Sequence, residues 1–215
     1  MGKITALKVN KRTDKKINMY LDGKFAISID AEVAVKEGLK IGQELSIDKI
    51  EDLMKNIALA RCFNTAYRYL SYRPRSEMEI KERLRRRGFE GTLIEIVINK
   101  LKENNLLNDT AFAQFWKENR NTFRPTSKNL TRMELRNKGV ADAIIDEITE
   151  QTDDLETAYH AALSKAKSIS HLEYNIFYRR MSYHLKRRGF SYSIIVQTIK
   201  KVWQELAESS EKGSI

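Results

Sequence analysis

The spacing of apolar residues changes near residue 48, and this change separates a β-rich part of the chain from a helical part. Before that point, short apolar runs alternate with polar positions at 4–9, 17–21 and 25–29. Such alternation predicts half-buried β-strands. Asp22-Gly23 joins the second and third runs, and this pair favours a type I′ hairpin turn because both central residues need φ > 0. With a short helix at 30–37 and a further strand at 45–47, these elements form a predicted β-rich segment over residues 1–52.

From residue 48 to about residue 208, apolar residues recur every three or four positions, as in the run IEIVINKL at 94–101. This spacing predicts amphipathic α-helices. The two prolines of the sequence, Pro74 and Pro125, fall between helical runs, where a missing N–H costs little. The larger part of the chain is therefore predicted to be mainly α.

The helical part repeats itself. One phrase occurs as LRRRGF at 84–89, LRNKGV at 135–140 and LKRRGF at 185–190, with glycines 51 and 50 residues apart. Self-similarity at such a period indicates tandem supersecondary units, and each glycine suits the left-handed position that ends a helix. We predict three three-helix repeats, with the glycine ending the second helix of each. The predicted limits are 53–109, 110–154 and 155–208 for the repeats and 209–215 for a flexible tail.

Local sequence signals indicate where individual helices begin. The patterns SxxE at 76–79 and TxxE at 92–95 are typical of capping boxes, in which a hydroxyl accepts a hydrogen bond from a free N–H of the first turn. Asn108-Asp109 is a plausible start for the second repeat, and residues 153–156 are a plausible start for the third. These signals support helix starts close to the predicted limits of the repeats.

The charge of the chain narrows the range of partners. Its 39 Lys and Arg residues exceed its 29 Asp and Glu residues, which gives a formal net charge of +10. The net charge is unevenly distributed along the chain: it is +4 in residues 58–109, −1 in 110–154 and +5 in 155–215. A basic balance of this size suits a polyanion such as nucleic acid, although it also suits a helical protein kept soluble by Lys and Arg.

Several classes of protein are disfavoured by the sequence. No run approaches the roughly 18 apolar residues of a membrane-spanning helix, and no apolar segment typical of a secretory signal follows the basic start, so we expect a cytoplasmic protein. The lone Cys62 excludes an internal disulfide and a cysteine-based metal site. His160, His171 and His184 are isolated, and phosphate-binding glycine motifs are absent. We therefore expect no catalytic, cofactor-binding or metal-binding residues, and no enzyme.

Basic residues cluster in the first and third repeats, where guanidinium groups on successive helix turns could hold phosphates or carboxylates. Many of them end a helix, however, where the helix dipole alone favours a positive charge by about 0.3–1 kcal/mol. The candidate binding residues are Arg68, Arg73, Arg75, Lys81, Arg85, Arg86 and Arg87 in the first repeat and Arg179, Arg180, Lys186, Arg187 and Arg188 in the third.

Taken in order, these motifs resemble the RecX family of recombination regulators. The resemblance rests on YLDGKFA at 20–26, LSYRPRS at 70–76, LNDTAFA at 107–113 and the three glycine phrases, and it covers residues 3–206. It implies three tandem three-helix repeats in a curved, elongated array behind a β-rich leader, as in Gram-positive members. The family has no consensus catalytic residues.

The resemblance also implies a function. A RecX-like protein docks on the RecA–DNA filament and inhibits the strand exchange, ATPase and coprotease activities of RecA, which modulates DNA repair and the SOS response. We expect a monomer that binds single- or double-stranded DNA largely without sequence preference and does not bind membranes. The usual basic positions of the family fall on Arg73, Arg75, 85–87 and 186–188. The net acidic second repeat departs from this pattern and argues against a uniform DNA-facing surface.

Two other classes of protein fit the same patterns. A helix-turn-helix transcription factor would explain both the charge and the three-helix period, and it would prefer one duplex sequence by about 10³-fold or more. A general α-helical protein–protein adaptor would explain the repeats, and it would show no salt-sensitive DNA binding.

Overall fold

The computed structural model describes residues 1–9 and 16–212, with side chains as far as residue 208, and it is mainly helical with a small N-terminal sheet. The described strands are β1 (Gly2–Val9), β2 (Lys16–Leu21), β3 (Lys24–Asp30) and β4 (Glu44–Leu45). The described helices are α1 (Ala31–Lys36), α2 (Ile47–Leu70), α3 (Glu77–Arg86), α4 (Gly91–Glu103), α5 (Asp109–Phe123), α6 (Lys128–Asn137), α7 (Asp142–Thr149), α8 (Asp154–Ala166), α9 (Tyr174–Lys186) and α10 (Tyr192–Lys212). This architecture confirms the predicted fold class.

The chain divides into two compact units. The first contains Met1–Tyr69 and Arg83–Lys100, and the second contains Leu70–Glu82 and Leu101–Ile215. Helices α3 and α4 contribute residues to both units. The domain limits predicted from the sequence stay a prediction, although α2 runs without interruption across the predicted boundary at residue 52. Helix α10 likewise continues past residue 208 to Lys212, so the predicted flexible tail begins as helix, and residues 213–215 lie outside the described part of the chain.

The four strands form one antiparallel sheet in the order β3-β2-β1-β4. Asp22 and Gly23 connect β2 to β3 with φ angles of 49° and 78°, which confirms the predicted type I′ turn. The Asp22 carboxylate accepts a hydrogen bond from the Lys3 N–H at 3.0 Å, and Thr5 Oγ1 accepts one from the Gly23 N–H at 2.9 Å. The turn is therefore held by β1 as well as by its own backbone preference.

The predicted strand at 45–47 is wrong at its end, because β4 stops at Leu45. Ser46 caps α2 instead, since its hydroxyl accepts a hydrogen bond from the Lys49 N–H at 3.2 Å. Two residues from the first half of α2, Leu53 and Ile57, then pack into the buried cluster beneath the sheet. The first half of α2 thus packs against the sheet and joins the β-rich segment to the first repeat.

The helices form three repeats, α2–α4, α5–α7 and α8–α10. The second helix of each repeat ends at a glycine with positive φ, at 80° for Gly88, 76° for Gly139 and 82° for Gly189, which confirms the predicted role of these residues. The predicted starts of the second and third repeats are also confirmed, because Asn108 and Asp153 each accept hydrogen bonds from the first turn of the helix that follows.

One of the two predicted capping boxes is confirmed in its N-cap half. Ser76 Oγ accepts a hydrogen bond from the Glu79 N–H at 3.2 Å. Thr92, in contrast, lies inside α4, which begins at Gly91, and the carbonyl of Glu90 accepts the first helical hydrogen bond of that helix. A Ser/Thr-x-x-Glu pattern also occurs within first turns, so a shift of one or two residues is the usual error of such a prediction.

Successive repeats in the second unit meet through the same contact twice. The backbone N–H of Glu77 at the start of α3 donates to the Asp109 carboxylate at 2.9 Å, and the N–H of Lys128 at the start of α6 donates to the Asp154 carboxylate at 2.6 Å. The second and third repeats thus each begin with two polar residues: the first caps its own helix and the second caps the middle helix of the preceding repeat.

The glycine phrases make a second contact at these junctions. A β-carbon added at Gly139 would lie 2.7 Å from the β-carbon of Met78, and one added at Gly189 would lie 2.8 Å from the β-carbon of Leu130. Glycine is required there by close approach as well as by positive φ. Gly88 has the same φ but no atom within 4 Å of an added β-carbon, so conformation alone explains that glycine.

Candidate functional site

A basic groove of about 690 Å³ lies in the second unit between the second and third repeats. Tyr183 and His184 line it together with six cationic side chains, and no Asp or Glu of the described ranges is among the lining residues. The cationic residues are Arg124, Lys165, Arg179, Arg180, Arg187 and Arg188. We call this set, with Tyr183 and His184, the basic groove.

Helix α9 supplies the largest part of the basic groove because it is amphipathic. Phe177, Met181 and Leu185 follow one another at intervals of four residues and are fully buried in the core of the third repeat. Arg179 and Arg180 are exposed: Arg179 lies opposite this stripe and Arg180 beside it, and both line the groove. The buried stripe of α9 therefore fixes where its arginines lie.

The junction between the repeats brings a cation of the second repeat into the groove. Arg124 follows α5 and precedes Pro125, and its backbone, with φ −152° and ψ 73°, leaves the helical region, which is disfavoured for a residue before proline. Two residues beyond the proline, the Ser127 N–H donates to the carbonyl oxygen of Arg188 at 2.9 Å. This backbone contact, beside the close approach at Gly189, places Arg124 among the arginines of the third repeat.

The cations of the basic groove lie close enough to repel one another, and burial together with this repulsion lowers the pKa of two groups. Burial, together with the charges of Arg124 and Arg187, lowers the pKa of the Arg188 guanidinium. Burial and the charge of Arg188 lower the pKa of His184 from 6.5 to about 4, so this imidazole is neutral at pH 7. Arg188 Nη1 donates to His184 Nδ1 at 3.3 Å, and the buried Arg188 Nε has no hydrogen-bond partner among the described residues. An anion in the groove would relieve the repulsion among these cations.

Acidification is expected to destabilise the native state through His184. The unfolded chain takes up a proton on this imidazole near pH 6.5, whereas the folded chain takes it up only near pH 4. The free energy of unfolding therefore falls as the pH drops from 6.5 to 4, with a slope of at most about one proton. Urea unfolding at a series of pH values should show this component in the wild type and not in His184→Gln, whose amide can still accept from Arg188.

His171→Gln is the matched control, because His171 is exposed and lies outside the basic groove. This variant keeps His184, so it should keep the wild-type slope. An identical dependence on pH in the wild type and His184→Gln would contradict the prediction.

Two candidate cations of the first repeat are engaged in ion pairs. Arg73 donates to both carboxylate oxygens of Glu79, at 3.1 and 3.3 Å, and Lys138 of the second repeat reaches the same carboxylate at 2.9 Å. Although burial raises the pKa of Glu79, the hydrogen bonds from these two cations lower it overall. Lys81 pairs with Glu77 at 2.8 Å. Arg73 and Lys81 therefore have a structural role within the second unit.

The remaining candidates are distributed over both units. Arg68, Arg85, Arg86 and Arg87 belong to the first unit and are exposed, whereas Arg75 of the second unit is partly buried. In the third repeat, four of the five predicted cations line the basic groove. The fifth, Lys186, is exposed and is not one of the lining residues.

Four groove residues were not singled out as binding residues from the sequence: Arg124, Lys165, Tyr183 and His184. Repeat register offers a signal for the first of them, because YRPRS at 72–76 and FRPTS at 123–127 are 51 residues apart and place Arg124 at the position of Arg73. Lys165 has no comparable signal. Its place in the groove follows from the packing of α8 against α9.

Other chemically active groups give no sign of a reaction site. Cys62 is buried, and burial raises the pKa of its thiol to about 11, so the thiol stays protonated at neutral pH. No cluster of three or more His, Cys, Asp or Glu side chains in the described part of the chain could hold a metal ion. Among the described helices, none combines the length and apolar character needed to cross a membrane.

Family models match three parts of the chain. The model described as "Regulatory protein RecX N-terminal domain" matches residues 2–46, "RecX, first three-helix domain" matches 62–101, and "RecX, second three-helix domain" matches 108–148. The matched segments correspond to the sheet and to the first two repeats.

Relatives match along almost the whole length. A protein of Clostridioides difficile (strain 630) named "Regulatory protein RecX" is 31% identical over 205 residues, which cover 94% of this chain and 96% of the relative. A protein of the same name from Bacillus subtilis (strain 168) is 30% identical over 218 residues, covering 99% and 81% of the two chains.

Solved structures resemble the fold as well. The "Crystal structure of regulatory protein RecX" has a TM-score of 0.65 and 25% identity, and the match covers 94% of this chain and all of the other. The "Crystal structure of RecX from Lactobacillus salivarius" has a TM-score of 0.56 and 26% identity, covering 67% and 96% of the two chains.

Proposed function

The chain belongs to the RecX family of regulatory proteins, and on this premise we propose that it binds the RecA–DNA filament and inhibits the recombinase, ATPase and coprotease activities of RecA. Through this inhibition it would modulate DNA repair and the SOS response. We propose that it acts as a cytoplasmic monomer and by binding alone, without a reaction of its own. The regulatory names of its relatives support this reading.

The observation that carries the proposal is the basic groove. Six cationic side chains of two repeats converge there, and no carboxylate of the described ranges neutralises them within the groove. Arginine guanidinium groups match phosphate oxygens in a planar, often bidentate geometry. Contacts of this kind position a protein on a nucleic-acid backbone without reading its sequence. We therefore propose that the DNA of the filament lies against this groove.

The remaining exposed arginines fit the second half of the proposal. The first repeat presents Arg85, Arg86 and Arg87 consecutively at the end of α3, in the first unit. Filament binding requires contact with RecA protein as well as with DNA, and a separate cationic segment is suited to carboxylates on a protein surface. We propose that the first repeat contacts RecA and that the basic groove contacts DNA.

Titration of the protein into a RecA ATPase assay on single-stranded DNA tests the proposal. ATP hydrolysis should fall as the protein is added and should reach a plateau when the filament is saturated. Unaltered ATPase and unaltered strand exchange at saturating protein would refute it. Strong preference for one duplex sequence in a parallel DNA-binding assay would favour the helix-turn-helix factor instead, whereas absence of salt-sensitive DNA binding would favour the adaptor.

A further inference from the structure

Tyr183 is a large aromatic side chain that is exposed to solvent within the basic groove. It lines the basic groove and keeps 64% of its surface exposed. The other tyrosines of α9 have aromatic or core neighbours: Tyr174 is 45% exposed but its ring lies 5.1 Å from that of Trp203, and Tyr178 packs against the core of the third repeat. Packing within the third repeat therefore explains the positions of those two rings, whereas it does not explain the position of Tyr183.

The neighbours of Tyr183 are cations. The guanidinium carbon of Arg187, one helical turn further on, lies 5.7 Å from the centroid of the Tyr183 ring. This cation–π contact orients the ring, while its large exposed area leaves much of the ring available to another planar group. Arg179 and Arg180 line the same groove one turn before it.

We propose that the basic groove prefers single-stranded to duplex nucleic acid because Tyr183 stacks on an unpaired base. The inference rests on the proposed function, which makes the groove a phosphate-binding site. Aromatic side chains among backbone-binding cations are the usual means of holding a single strand, since every base has a face that can stack. Arg179, Arg180 and Arg187 would hold the phosphates on either side of the stacked base.

A duplex cannot use the same ring. Its bases are already stacked on one another, so only its phosphates can reach the groove. Duplex binding therefore depends on the cations alone, and single-strand binding depends on the cations and on Tyr183. The difference between the two ligands isolates the contribution of the ring.

The test compares two labelled ligands of equal length, an oligothymidylate and a duplex, by fluorescence anisotropy with the full chain. Tyr183→Ala should weaken oligothymidylate binding by roughly tenfold, within the range measured for single stacked bases, and should leave duplex binding within about twofold of the wild type. The slope of affinity against salt should not change, because no phosphate contact is lost.

Two further variants complete the experiment. Tyr183→Phe keeps the ring, so it should retain oligothymidylate binding. Tyr192→Ala removes a tyrosine that is 77% exposed at the start of α10 and outside the basic groove, so it should bind both ligands like the wild type.

Each other outcome overturns the inference in a recognisable way. Unchanged oligothymidylate binding by Tyr183→Ala would show that the ring does not stack. Equal losses of affinity for the oligothymidylate and the duplex would show that Tyr183 only shapes the groove. Either of these two results would still be consistent with a phosphate-binding role for the groove. Failure of the wild type to bind either ligand would overturn the DNA-binding part of the proposed function together with this inference.

Discussion

Replacing Arg179 and Arg180 by glutamate is expected to weaken DNA binding by at least about a hundredfold. Both residues are exposed and line the basic groove, so the substitutions remove two charge-assisted contacts without opening the core. Such hydrogen bonds contribute about 1.5–3 kcal/mol each, and about 1.4 kcal/mol corresponds to tenfold in affinity. Each lost phosphate contact should also lower the slope of log affinity against log salt by about one. Anisotropy titrations at several salt concentrations measure both quantities.

The control is a second pair of adjacent cations in the same repeat. Lys200 and Lys201 are exposed on α10 and do not line the basic groove. Lys200→Glu combined with Lys201→Glu changes the net charge by the same amount, so it reports the general electrostatic effect. Equal losses in the two double variants would mean that the protein attracts DNA through its overall charge, and the groove would then not be the binding site.

Substituting alanine at Gly189 is expected to lower the free energy of unfolding by about 2–5 kcal/mol. Positive φ alone costs an alanine about 1–2 kcal/mol. The new β-carbon would also lie 2.6 Å from Ser127 Oγ and 2.8 Å from the β-carbon of Leu130. The Leu130 β-carbon is attached directly to the backbone of α6, so relief requires the two repeats to move apart, and overpacking of this kind costs about 1–3 kcal/mol.

Gly139→Ala should behave similarly, because its β-carbon would meet Met78 at 2.7 Å. Gly88→Ala is the matched control: its φ of 80° is nearly the same, but nothing lies within 4 Å of the added carbon. We expect Gly88→Ala to lower the free energy of unfolding only by the cost of positive φ, about 1–2 kcal/mol. Urea unfolding of the three variants measures the difference, and equal losses would show that close approach of the repeats adds nothing to the requirement for glycine.

The predictions from the sequence were correct where a short stretch of chain determines its own conformation. Asp22-Gly23 forms the expected hairpin turn, and Asn108 and Asp153 cap the expected helices. In each of these cases the deciding hydrogen bond or φ angle involves residues close in sequence. The predicted cap at Thr92 was wrong because the Thr-x-x-Glu pattern fits an N-cap and a first-turn position equally well.

The candidate site was predictable only in part. The charge pattern identified four groove arginines of the third repeat, because an amphipathic helix leaves its polar residues outside the core. It grouped Arg73 with them, although a long-range contact from Lys138 makes that residue part of an internal ion-pair cluster around Glu79. A run of basic residues in a sequence does not distinguish an arginine that faces solvent from one that is paired with a distant carboxylate.

The amino-acid sequence by itself determined that this protein has a β-rich leader and three helical repeats, and it placed the glycines that end their middle helices. The period of the apolar residues and the φ preferences of glycine are local properties, so they can be read from a single chain. Only the tertiary structure decided that Arg124 and Lys165 join the arginines of α9 in one groove, and that Asp109 and Asp154 cap helices of the preceding repeats. These contacts join residues that are 14–64 positions apart, and the packing of helices within and between repeats brings them together.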